Sequence, residues 1–313
     1  MTAVAELAPV DRGTSAIEWT ERTINPWTGC TKVSPGCAHC YIDRSPAFRI
    51  AGRRFEGGTV PLRFHLERLD AVMRRRKPTL YFVNSLSDVF HEDVPMRAVA
   101  MLFAAMAKSP QHTFQLLTKR PERMHQLLTD PTFWLCVRIA AVGSGWKRVG
   151  VVADVDKPLA NVWLGVTVEN RRFVERADIL RVTPAAVRFI SAEPLLGPLV
   201  CERCQGHGWF WSYEGAGVEC TGCDGAPGRR GPSLNLAAID WLIVGGESGP
   251  KHRRIDPQWV RDLRGAAERA GTAFLFKQWG GARPKSGGRE LDGRTWDELP
   301  ARATSRQEVS AHV

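Results

Sequence analysis

The chain has no long apolar run. Its longest, Ala98 to Ala107, is bounded by Arg97 and Lys108, whereas a helix needs about 20 consecutive apolar residues to cross a bilayer. No transmembrane segment and no membrane partner are therefore expected. The stretch Met1 to Ala16 has no apolar core flanked by basic residues, which argues against a secretion signal and points to a cytoplasmic protein. A Walker phosphate loop is missing too, and Gly143-x-Gly145 and Gly245-Gly246 lack the strand-to-helix context of a dinucleotide fingerprint. Acidic residues are the minority charge: 33 Asp and Glu stand against 43 Lys and Arg, for a formal net charge of +10. That balance favours an anionic partner such as nucleic acid, although a generally basic surface has the same composition.

With 313 residues, 43% of them hydrophobic, the chain can bury the core of one large domain or two ordinary ones. Seven of its eight cysteines fall into two ligand-like groups, so metal ligation accounts for them better than disulfides. Cys136, in Leu135-Cys136-Val137, stands apart and reads as a buried apolar residue. The first group is Cys30, Cys37 and Cys40, followed at once by Tyr41, with Gly29, Pro35 and Gly36 to bend the backbone. Three thiolates this close suit an iron–sulfur cluster better than a tetrahedral zinc ion, although zinc with His39 is an alternative. In a 4Fe-4S cluster the missing fourth ligand leaves one iron open to a substrate or cofactor. The second group pairs Cys201 with Cys204 and Cys220 with Cys223, two residues inside each pair and fifteen between the pairs. This is the spacing of a structural four-cysteine zinc site, with a second iron–sulfur cluster as the alternative. Trp209, Phe210, Trp211 and Tyr213 lie within this segment, near Arg203, Arg229 and Arg230. They could stack on bases and meet phosphates, or form the small core of the zinc module.

Short apolar, β-branched runs alternate with helix-like stretches along the rest of the chain, which is an α/β pattern. Strands are expected at Thr79–Val83, His112–Leu117, Val162–Val166, Val187–Ile190, Trp241–Val244 and Ala273–Phe276, with a weaker one near Ile17–Trp19. Helices are expected at Arg63–Arg75, Pro95–Ala107, Pro121–Leu128, Arg171–Arg181 and Pro257–Ala270. Polar residues gather where strands end: Asn84-Ser85-Leu86-Ser87-Asp88, Thr118-Lys119-Arg120, Thr167-Val168-Glu169-Asn170, Ser191-Ala192-Glu193, Gly245-Gly246-Glu247-Ser248 and Lys277-Gln278-Trp279. Parallel barrels carry their active sites at this edge. An open doubly wound sheet places ligands there as well, and Ser87, Asp88 or Asn170 could instead cap the helices they precede. A partial (β/α) barrel of parallel strands with a small inserted four-cysteine zinc module is the expected fold. Its parts are an N-terminal extension (1–16), the barrel (17–199 and 233–300), the module (200–232) and a C-terminal tail (301–313).

The cysteine loop followed by parallel strands resembles the radical S-adenosylmethionine (SAM) superfamily. Six segments in order resemble more closely a phage-associated three-cysteine-motif family: Trp27 to Tyr41, Asn84 to His91, Leu117 to Pro121, Ser191 to Leu195, Val244 to Gly249 and Phe276 to Gly280. Six residues separate Cys30 from Cys37, a longer loop than the wider superfamily uses. The resemblance implies that Cys30, Cys37 and Cys40 ligate a 4Fe-4S cluster whose open iron binds SAM. It further implies an electron donor such as flavodoxin or ferredoxin and a deoxyadenosyl radical that abstracts hydrogen from a substrate. On that basis Tyr41, or His39 just before the last cysteine, is the candidate to lie near the adenine. Ser85, Ser87 and Asp88 are candidates for the methionyl ammonium, and Glu169, Glu193 and Glu247 for ribose or ammonium groups. Lys119, Arg120 and Lys277 are candidates for anionic groups of the substrate, with Trp211, Arg229 and Arg230 from the inserted module.

The expected function is radical repair or modification of nucleic acid, DNA repair included. Radical modification of a protein or peptide is one alternative, and a non-enzymatic, metal-stabilised nucleic-acid-binding protein is another. The basic run Arg74-Arg75-Arg76-Lys77 reads as a solvated helix end. Among the histidines His91 is the one placed to enter the site, since it follows Asp88.

Overall fold

The computed structural model describes residues 15, 17–143, 158–201, 209–211, 217–219 and 233–300. The chain divides into two compact units, one built from described residues of 9–166 and 182–188 and the other from those of 167–181 and 189–313. Within the first unit β1 (Arg22–Ile24) leads to β2 (Trp27–Thr31), the short helix α1 (Pro46–Ile50), β3 (Thr59–Phe64) and α2 (Arg68–Arg74). Next come β4 (Leu80–Val83), α3 (Met96–Ala107), β5 (Thr113–Thr118), α4 (Pro121–Thr129), α5 (Pro131–Gly143) and β6 (Val162–Thr167). The second unit holds α6 (Glu175–Val182), most of β7 (Val187–Ala192), β8 (Trp209–Trp211), β9 (Gly217–Glu219), β10 (Trp241–Gly245), α7 (Pro257–Ala270) and β11 (Ala273–Gln278).

The fold is mixed α/β on a seven-stranded parallel sheet, ordered β1-β4-β5-β6-β7-β10-β11. No strand is out of sequence, so the sheet is wound in one direction, as in a barrel, with no switch point. It remains open, with β1 and β11 as its edges. Two-stranded antiparallel ribbons, β2–β3 and β8–β9, stand outside it. Among the described residues no helix is long and apolar enough to cross a membrane.

Local chemistry explains most element boundaries. Helix α7 starts where Asp256 Oδ1 accepts the Gln258 amide at 2.8 Å with Pro257 in the first turn, and ends at Gly271 with φ 66°. The 10-residue apolar run is the buried body of α3, whose Phe103 ring meets Phe133 and Trp134 of α5 at 5.3 and 5.9 Å. Four expectations are corrected. The first strand lies at Arg22–Ile24 and not Ile17–Trp19, because the Thr20 hydroxyl turns the chain onto the carbonyls of Arg22 and Leu80 before pairing starts. The helix expected from Arg63 begins at Arg68, since Thr59–Phe64 pairs with the cysteine strand β2; tertiary pairing overrides helical periodicity here. Cys136 is half-buried and not buried, on a helix opened by Pro131 and the Asp130 side chain, which accepts the Thr132 amide at 2.8 Å. Helix Arg171–Arg181 is shortened to Glu175–Val182 behind a 3-10 turn, which Asn170 caps through the Arg172 amide at 3.0 Å.

Candidate functional site

The cysteine loop is fastened to the C-terminal end of β4. Asn25 Oδ1 accepts the Leu86 amide at 2.8 Å and its Nδ2 reaches Ser85 Oγ at 3.2 Å. The Gly29 amide donates to Leu86 O at 3.0 Å. Gly29 has φ 113°, and a Cβ there would overlap Pro61 O and lie 2.8 Å from Val60 O, so the close crossing of β2 and β3 admits only glycine. Cys30 stands on β2 opposite Val60. Pro35 opens a 3-10 turn that ends at Cys37, whose amide bonds Ser34 O at 2.9 Å, and the Cys40 amide returns to Cys37 O at 3.3 Å. The loop is pinned from outside by Lys32 Nζ on Ala38 O at 3.2 Å and Arg44 on His39 O at 2.7 Å. Beneath it Cys30 and Cys40 pack with Phe55 and Leu86 against Ile42, Phe48 and Val60. The hydroxyl of Tyr41 donates to Ser85 O, so this ring too is held at the end of β4.

All three thiols are half-buried and no disulfide joins them. Burial pushes the Cys30 thiol up to about 12, helped by the charge of Asp88 and by the other two thiols, with Arg120 opposing. Cys37 moves the other way: burial raises it, but Lys119, the Val33 and Ser34 backbone and the Ser34 hydroxyl at 3.7 Å outweigh that and lower it. Cys37 is thus more disposed to ionise than Cys30. Among the described residues no three His, Cys, Asp or Glu side chains are grouped around a point that a metal ion could occupy. The donor set of Cys30, Cys37 and Cys40 nevertheless fits an iron–sulfur cluster, which takes one thiolate per iron and draws the protons off thiols such as Cys30.

Beside the thiols lies a buried charge node. Asp88, 5% exposed, accepts the Phe90 amide at 2.9 Å and the Thr118 hydroxyl at 2.7 Å on Oδ1, and the Lys119 amide at 3.1 Å and Arg120 Nη1 at 3.2 Å on Oδ2. Four donors fill the four lone-pair sites of a carboxylate. Arg120, 8% exposed, also bonds both oxygens of Glu92 and donates to Thr31 O at 3.2 Å, next in the chain to Cys30. Burial lowers the Arg120 pKa and its carboxylate partners more than reverse this. His91 is buried, 3.0 Å from Thr31 Oγ1 through Nε2, and burial followed by Arg120 lowers its pKa, so it is held neutral. Ser87 Oγ receives Asn84 Nδ2 at 2.6 Å. Asn84 has φ 59°, a conformation that Asn tolerates at a sharp strand end.

In the second unit, Glu169 is fully buried, with its carboxylate on Arg176 at 3.0 Å. Glu247 bonds Arg253 through its amide and Nε, both at 3.0 Å, and Nη2 at 2.5 Å. Glu193 meets Lys277 Nζ at 3.0 Å across Gly245, where a Cβ would lie 2.5 Å from Glu193 Oε1. Cys201 is buried and its amide donates to Ser233 Oγ at 3.0 Å. The other module ligands, Cys204, Cys220 and Cys223, lie outside the described residues, as do Arg229 and Arg230; the Trp211 backbone pairs with Gly217. The first unit therefore brings Cys30, Cys37, Cys40, Tyr41, Ser85, Ser87, Asp88, Lys119 and Arg120 to one strand edge. Thr31, Glu92 and Thr118 were missed as members of this site. Adjacency to Cys30, His91 and Lys119 was the available signal.

A family model described as a protein of unknown function (DUF5131) matches residues 14–300, and the chain belongs to that family. No curated protein and no solved structure matches it.

Proposed function

We propose that this DUF5131 member is an iron–sulfur enzyme that uses SAM to start radical repair or modification of nucleic acid. The observation that carries the proposal is the three-thiol loop, latched to the end of β4 beside the buried Asp88–Arg120 pair and holding no fourth cysteine. A cluster held by Cys30, Cys37 and Cys40 and reduced by an external one-electron donor such as flavodoxin or ferredoxin would supply the electron for cleavage of the SAM sulfonium to methionine and a deoxyadenosyl radical. The chain's own part is orientation. Cys37 offers a readier thiolate than Cys30, and the Arg120 bond to Thr31 O fixes the strand that bears Cys30. Because Asp88 has no acceptor site left, it positions Arg120 and Lys119, and the hydroxyls of Ser85 and Ser87 are the better partners for a ligand ammonium. The Glu193–Lys277 ion pair, only partly exposed, offers a carboxylate and an ammonium to polar substrate groups. A net charge of +10 favours a polyanionic substrate. Cys201, Cys204, Cys220 and Cys223 are assigned to a structural zinc ion with no open position.

Anaerobic reconstitution with iron and sulfide tests the cluster. Iron, acid-labile sulfide and visible thiolate-to-iron absorption are expected in the wild type and lost in C30S, C37S and C40S, but kept in C136S. Zinc without iron in the wild type ends the radical reading.

A further inference from the structure

The β2–β3 ribbon gathers positive charge on the segment that bears the cysteine loop. Thr28 Oγ1 is its hub, 2.9 Å from Arg53 Nη1 and 3.3 Å from His65 Nε2, while Arg53 Nη2 donates to the carbonyls of Thr28 and Pro61, so Arg53 is engaged within the ribbon. Arg63 faces Thr28 directly across the ladder, and Arg68 Nη1 donates to Asn25 O at 2.9 Å. The one ion-pair contact within this group among the described residues is a long one, His65 to Glu67 at 3.9 Å, with Glu67 74% exposed. Arg63 makes no ion pair among the described residues. The charges repel one another: burial and then Arg63 lower the pKa of Arg53, and burial followed by Arg68 lowers that of His65. Like charges left uncompensated on a surface are an electrostatic footprint for an anion. Phe64, between Arg63 and His65, is 43% exposed while Trp27, its neighbour at 6.1 Å between ring centroids, is fully buried. Arg63 and Phe64 leave β3 on opposite sides, so a single strand passing over the end of β3 can stack a base on the half-exposed ring while Arg63 meets a backbone phosphate.

We infer that the end of β3 binds single-stranded nucleic acid passing over the ribbon edge, with Arg63 and Arg68 on phosphodiesters, His65 beside them, and Phe64, on the opposite side of the strand from Arg63, against a base. This rests on the nucleic-acid reading proposed above and assigns the strand to the cysteine ribbon, not to the inserted cysteine module.

The test is fluorescence anisotropy on the reconstituted full-length chain, with labelled oligodeoxythymidine of about twelve nucleotides, an abasic strand of the same length and the corresponding duplex. R63Q/R68Q is expected to weaken single-strand binding by about tenfold or more and to reduce the salt slope by about 1.4, two phosphate contacts at about 0.7 each. The charge-keeping R63K/R68K should stay within about threefold of wild type. F64A should weaken binding to oligodeoxythymidine but not to the abasic strand. If wild type binds the oligonucleotide and R63Q/R68Q binds it equally well, the ribbon site is overturned and the nucleic-acid reading stands. Loss in R229Q/R230Q alone would then transfer the strand to the module. Tighter binding of duplex than of single strand overturns the stacking assignment, as does equal loss in R63K/R68K and R63Q/R68Q. If wild type binds none of the three probes, both the site and the nucleic-acid reading fall.

Discussion

Replacing Asp88 by Asn should be among the most damaging single changes near the cysteine loop. The carboxylate takes four donors on two oxygens and is nearly completely buried. An amide keeps one oxygen with two lone pairs and puts an NH2 group where either Phe90 and Thr118 or Lys119 and Arg120 now donate. Two hydrogen bonds are lost and two donors are left facing a donor. Arg120, equally buried, keeps only the half-exposed Glu92 as its counter-charge. Breaking one partner of a buried ion pair costs about 3–5 kcal/mol, and the unpaired amides place this site at the upper end. T118V, which removes a single bond to the same carboxylate, should cost about 1 kcal/mol. Urea unfolding of the metal-free proteins, read by Trp fluorescence and circular dichroism, measures both. In D88N/R120M, where the orphaned cation is gone as well, the loss should be smaller than the sum of the single losses by more than about 1 kcal/mol. A D88N cost below about 1 kcal/mol, or strict additivity with R120M, would refute the claim that this pair is the buried anchor of the loop.

Three further outcomes are expected. In metal-free protein near neutral pH, iodoacetamide followed by peptide mass spectrometry should label Cys37 well before Cys30, because Cys37 is pulled below its ordinary value and Cys30 is pushed up to about 12; equal rates contradict the electrostatics. Glu92 sits at about 2 from an ordinary 4.5, since its bonds to Arg120 override the effect of burial. A depressed carboxylate stabilises the fold above its unfolded value and loses that contribution as pH falls from about 4.5 through about 2, so the stability gap between wild type and E92Q should close across that window. A gap that stays constant there removes Glu92 from the node. G29A forces a Cβ into Pro61 O at φ 113° and should cost about 3 kcal/mol or more with loss of iron binding. A variant as stable as wild type means that the β2–β3 crossing is looser than described.

The sequence legibly marked every strand of the sheet except β1, because the others are apolar runs rich in β-branched and aromatic residues and largely buried on both faces, as Trp241–Gly245 and Val162–Thr167 are, whereas Arg22–Ile24 is short and polar. It also marked the polar strand ends, for the same reason that parallel strands aim loops at one edge. What it hid was local structure decided by distant partners. Cys30 lies in a strand only because Thr59–Phe64 comes back to pair with it, and no periodicity in the Thr59–Arg75 stretch announces that partner. Arg120 and Asp88 were each visible as candidates. Their mutual pairing, and the service of Glu92 and Thr118 to it, depends on two strand ends meeting, which spacing along one chain does not encode. Glu169 and Glu247 likewise resembled open carboxylates until Arg176 and Arg253 were seen against them.

The central claim is that Cys30, Cys37 and Cys40 hold a cluster that cleaves SAM. Anaerobically reconstituted protein, reduced with dithionite and supplied with SAM, should release 5′-deoxyadenosine in amounts that depend on iron, and C37S should release none. A protein carrying an intact, reducible cluster that forms no deoxyadenosine, with or without oligonucleotide present, would contradict the account.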